Sequence, residues 1–132
     1  MQPKTTLTIA SIIGLIFSSA MFLAPEFVTR EQFPNSEGQG FADLVTLRYA
    51  IASIILALVI ISYHLRDITG HAFQIHVMRG YTLAFGVVCI TNLALQLTGK
   101  ISAVPPIVGT GVIAVLSFLT WRRLVSRTKK EA

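Results

Sequence analysis

The amino-acid sequence predicts an all-α chain, an integral membrane four-helix bundle forming one domain over residues 1–132, and three observations carry that reading. The chain is 53% hydrophobic and 13% charged, whereas soluble domains carry about 25% charged residues. Its mean hydropathy is +0.69, more apolar sequence than a soluble core of this size absorbs. Four apolar runs, at 6–24, 44–63, 75–97 and 102–121, each approach the ~20 residues a helix needs to cross a ~30 Å hydrocarbon layer. None alternates with period two, and each is roughly twice the length of a barrel strand. Within a bilayer a helix alone satisfies the backbone of such an isolated run.

The first run, Thr6 to Ala24, carries Ala10, Gly14 and Ser18 at four-residue spacing. These share one helix face, and small residues there let a second backbone approach closely. Lys4, the apolar run and small residues at Ser18, Ala20 and Ala24 also fit a secretory signal peptide, whose removal would leave three spans. The run continues past Ala20, and Pro25 stands just after the alternative cut, which favours a retained span. An acidic outer loop is expected over 25–43, where Glu26, Glu31, Glu37 and Asp43 accompany Arg30 and Pro34-Asn35-Ser36-Glu37-Gly38 signals a turn.

Arg48 lies about one turn inside the second run. An unpaired arginine at the bilayer centre costs roughly 2.5–3.5 kcal/mol, and less toward the interface. It can snorkel outward or pair with Asp43. The functional reading joins it to Asn92 and Gln96, four residues apart on the third run and at the same depth, with Glu26 approaching from the end of the first. That set is the candidate ligand-binding or polar cluster.

The connection 64–74 holds Arg66, Asp67 and two histidines and is expected on the cytoplasmic side. Arg79 and His76 follow at the start of the third run and are the candidate contacts for inner-leaflet headgroups. Gly80 and Ala84 continue the small-residue pattern, as do Ser53 with Ala57 and Thr110 with Ala114, so the small faces are expected to converge in the bundle. Gly99-Lys100 reads as a helix stop. Pro105 and Pro106 fall in the first turn of the last span, where a missing N–H costs little.

Orientation follows from the cations. Eight of the eleven Lys and Arg residues (Lys4, Arg66, Arg79, Arg122, Arg123, Arg127, Lys129 and Lys130) flank one side, against Arg30, Arg48 and Lys100 on the other. The positive-inside rule then puts both termini in the cytoplasm, the expected location being a bacterial cytoplasmic membrane. The net charge of +5 does not point to nucleic acid, because five cations crowd the basic tail 122–132 directly after an apolar run and suit anionic lipid.

The single Cys89 excludes an internal disulfide. His64, His71 and His76 are seven and five residues apart, spacings that build no helical metal pair, so no metal and no cofactor is expected. The sequence contains no Gly-x-Ser-x-Gly, His-Glu-x-x-His or phosphate loop. These observations point away from an enzyme and toward a binding or accessory subunit that packs against membrane lipid, another membrane subunit or a second copy. The alternatives are an oligomeric transporter or channel component with an outer polar vestibule, and a lipid-modifying enzyme.

Phe22-Leu23-Ala24-Pro25-Glu26 closing the first span, Leu47-Arg48-Tyr49 opening the second, and the spacing of all four together resemble a bacterial family of small four-helix membrane proteins, domain of unknown function 4345. The resemblance implies the fold and topology and no reaction. Members often carry an arginine late in the third helix and a glutamate in the fourth; here Asn92 occupies the first region and the fourth span has no acid.

Overall fold

The computed structural model describes residues 2–131, with side chains through residue 128. The side chains of Lys129 and Lys130, part of the expected basic tail, lie outside the described residues. The chain forms five helices and, among the described residues, no strand: α1 (Pro3–Leu23), α2 (Pro25–Gln32), α3 (Gly38–Leu65), α4 (His71–Leu97) and α5 (Val104–Glu131). Four of them, α1, α3, α4 and α5, are long and apolar enough to cross a membrane.

Local chemistry explains most of the boundaries. Pro3 opens α1 and Pro25 opens α2, each at a position that needs no N–H. A turn closed by Ser36 N–H donating to the Phe33 carbonyl leads to Gly38, whose φ of +59° a side chain would oppose. The stop expected at Gly99 is present: Gly99, at φ +70°, donates to the Gln96 carbonyl while Lys100 donates to that of Leu95. Those two bonds satisfy carbonyls the last turn of α4 would otherwise leave open. Pro105 and Pro106 lie in the first turn of α5 as expected.

The segment 25–43, expected as a flexible loop, contains α2 and the first turns of α3. Pro25 at the start, Glu26 in the first turn and Arg30 in the last suit a helix dipole. At eight residues, or ~12 Å, α2 is too short to span and lies against α1 and α3 instead.

The long helices form an arc in the order α3, α1, α5, α4. Gly14 faces Val59 of α3 so closely that an added Cβ would stand 2.6 Å from its Cγ2, and a Cβ added to Gly109 of α5 would stand the same 2.6 Å from the Phe17 ring of α1. Hydroxyls reinforce both contacts. Ser18 donates to the Ala52 carbonyl at 3.0 Å, and the Thr6 and Thr120 hydroxyls meet at 2.7 Å. Cys89 spans α4 to α5, its thiol directed at the Ile107 carbonyl at 3.5 Å.

The arc does not close along its length. α3 and α4 meet chiefly where the Ser62 hydroxyl bonds the Tyr81 hydroxyl. Close by, at the end holding the N-terminus, Leu7, Met78 and Leu124 form the buried core with Leu65, Ile75 and Trp121 packed around them. A wedge-shaped cleft between α3 and α4 therefore runs from this tight end toward the α2 end.

The small residues divide accordingly. Ala10, Gly14 and Ser18 do turn inward, Gly14 and Ser18 against α3. Gly80 and Ala84 are exposed on α4, and a Cβ on Gly80 would meet nothing within 4 Å. Spacing puts residues on a common face without saying that the face turns inward; on α4 the contact side is the one bearing Met78 and Cys89.

Candidate functional site

Arg48 occupies the wide end of the cleft. It projects from the third turn of α3 under α2, and only 5% of its surface is exposed. Its Nε donates to the Thr29 hydroxyl at 3.2 Å, and its guanidinium lies over the Phe33 ring at 5.5 Å. Thr29 is itself fixed, donating to the Pro25 carbonyl of its own helix at 2.7 Å. α2 thus serves as a bracket holding one edge of the guanidinium. Nη2 is buried and has no acceptor among the described residues.

A buried guanidinium with one neutral hydrogen bond is an incomplete arrangement. Desolvating a charge is costly unless it is paired and its donors are satisfied. The described residues supply no carboxylate: the ion pairs among them are Lys4 with Asp67 and Arg66 with Asp67. Asp43, the partner expected if Arg48 were interfacial, takes a hydrogen bond from Gln39 instead.

Two cavities meet at Arg48. One, of about 320 Å³, fills the cleft and is bounded by all four long helices, with Ile55, Leu58 and Phe85 on its walls and Ser62 at its tight end. Its lining is overwhelmingly apolar, and its hydroxyls are engaged, Ser62 with the Leu58 carbonyl and Thr110 with that of Pro106. The other, of about 420 Å³, continues outward between α3, α4 and the α4–α5 turn and is lined by Phe33, Leu44, Leu95 and Lys100 among others. Gln32, Arg48, Ile51 and Asn92 line both. Cavities of this size lie within the roughly 300–1,000 Å³ typical of small-molecule sites.

Of the expected cluster, the structure brings Arg48 and Asn92 to the same space but not into a hydrogen bond. The Asn92 amide donates to the Val88 carbonyl one turn back, at 2.9 Å. Gln96 does not join them: its Oε1 accepts the Ala103 N–H at 3.0 Å and so caps the start of α5. Glu26 is exposed and forms no ion pair with Arg48. Sequence reasoning missed Thr29, Gln32 and Phe33, all on or just after α2, because that segment reads as a loop. The start signal at Pro25-Glu26 was the clue available.

At the opposite end, Arg79 and His76 are exposed. A basic concavity of about 240 Å³ does lie there, built by Lys4, His71, Arg123 and Arg127. Lys4 also pairs with Asp67 at 2.9 Å, and that hydrogen bond holds the Asp67 carboxyl below the usual carboxylate range. No set of three or more His, Cys, Asp or Glu residues is placed to hold a metal among the described residues. No family model, curated protein or solved structure matches the chain, and the functional reading rests on this geometry.

Proposed function

We propose that this chain is an integral membrane binding protein that takes an amphiphile from the bilayer into the cleft between α3 and α4. The observation that carries the reading is the cleft itself, an apolar space of about 320 Å³ bounded by four span-length helices and meeting, at its wide end, a second space whose few polar groups are Arg48, Lys100, Gln32 and Asn92. An acyl tail suits the apolar part, since each methylene transferred there from water gains about 0.8 kcal/mol. A lipid gains less, because its tail leaves an equally apolar bilayer. Recognition therefore falls to the polar end.

The distribution of cations supports a cytoplasmic location for both termini, in a bacterial cytoplasmic membrane, with α2 and Arg48 toward the outer face. The lining favours holding over turnover. Its hydroxyls are bonded to carbonyls of their own helices, and no nucleophile stands beside a base. An accessory role beside another membrane subunit remains compatible, the exposed Gly80 and Ala84 face of α4 being the surface suited to close helix approach.

Native mass spectrometry of the purified protein tests the proposal. Wild type is expected to retain an amphiphile, and Val88→Trp, which fills the cleft from a half-exposed position on its wall, is expected to lose it. Equal retention by the two would contradict a ligand in this cleft.

A further inference from the structure

We infer that the amphiphile's headgroup is anionic, a carboxylate or a phosphate, received by Arg48 with Lys100 as the second cation. This inference deepens the cleft reading and rests on it. Arg48 is 95% buried by its 5% exposure, yet Nε is the one guanidinium nitrogen with an acceptor among the described residues. An arginine presents five N–H donors in a rigid fork that matches carboxylate and phosphate oxygens. Thr29 and Phe33 fix its inner edge and its plane, so the remaining donors belong to a preset fork beside the junction of the two cavities.

The surroundings have the complementary sign. The outward cavity is lined by two cations, Arg48 and Lys100, and two amides, Gln32 and Asn92, and by no acidic side chain. Lys100 is placed by backbone geometry, being the residue whose N–H closes the Gly99 turn. Glu31 lines a different cavity, between α1, α2 and α5. A cationic or zwitterionic headgroup would bring a second positive charge beside Arg48 in a low-dielectric site, whereas an anion supplies the missing acceptors and offsets the desolvation.

The test uses detergent-purified full-length protein equilibrated with an equimolar mixture of palmitate, lysophosphatidic acid, monoacylglycerol and lysophosphatidylcholine of matched chain length, read by native mass spectrometry. Wild type is expected to retain one or both anions at least tenfold over the two others, and which anion dominates separates a carboxylate from a phosphate. Arg48→Gln is expected to bring that ratio near one while neutral amphiphiles still bind. Lys100→Gln, at an exposed turn, is expected to lower it severalfold without disturbing the fold. Equal retention of all four by wild type, abolished by Val88→Trp, would overturn the anionic headgroup and leave the cleft reading standing. A preference unchanged in both Arg48→Gln and Lys100→Gln would also overturn it. Retention of none would remove the cleft reading itself.

Discussion

Arg48 is buried at a cost that the described residues do not recover. One hydrogen bond to a neutral hydroxyl and a ring beneath the guanidinium offset part of the desolvation, and breaking even with an apolar side chain requires more. Arg48→Met, similar in length and uncharged, is therefore expected to raise the thermal midpoint of delipidated protein; a fall of several degrees would mean that the arginine holds the fold together. Ser117 is the contrasting case, a fully buried hydroxyl on α5 without a partner among the described residues and lining neither of the cavities at Arg48. Ser117→Ala removes an unsatisfied group and leaves none behind, so stability should be unchanged or higher in the same melting experiment. At this scale the sequence showed that Arg48 was unusual but not why it is tolerated. Its partner Thr29 lies nineteen residues away on a helix without a span-length apolar run, and Gln96 was drawn off by a backbone N–H across a turn.

The elements were legible where a strong local signal marks them. Span-length apolar runs predicted α1, α3, α4 and α5, and Gly99 and the Pro105-Pro106 pair marked the turn between the last two. α2 was missed because two turns rich in Glu and Arg do not show the periodicity that identifies a longer helix. Facing was the weaker inference. On α1 the small residues do pack: Gly14 leaves no room beside Val59, and Gly14→Leu is expected to destabilise the α1–α3 contact by about 1–3 kcal/mol, the usual cost of overpacking. Gly80→Leu adds a side chain to open space inside α4 and removes a helix-weakening glycine, so monomer stability should be unchanged or higher by up to about 1 kcal/mol in the same unfolding assay. A large loss there would place the Gly80 face in an interface between copies. The Lys4–Asp67 pair ties the start of α1 to the α3–α4 connection. Its carboxyl titrates below the ordinary range when folded, so the stabilisation it gives is present above the unfolded carboxylate pKa and is lost as pH falls through the folded one. Carboxyl NMR should find the Asp67 midpoint depressed in wild type and restored upward in Lys4→Met.

At the scale of the whole molecule, the arc α3–α1–α5–α4 sets four span-length apolar helices side by side with a gap between α3 and α4. The tight end is closed by Leu7, Met78, Leu124 and the Ser62–Tyr81 contact, and the wide end is propped by α2, whose Thr29 accepts the Arg48 Nε–H. Composition made the four long apolar helices readable, because it follows from sums over many residues. Helix order around the bundle was not readable, because helices in lipid associate through packing detail rather than a hydrophobic stripe. The central claim, a cleft between α3 and α4 that is shut at one end and open at the other, is tested most directly by paired cysteines in a Cys89→Ser background. Ser62→Cys with Tyr81→Cys, a pair bridged in wild type by the length of one tyrosine side chain, should be joined by a short bifunctional reagent, whereas Ile51→Cys with Asn92→Cys should need a longer one. Joining of both pairs by the short reagent with equal efficiency would show a closed bundle and contradict the account.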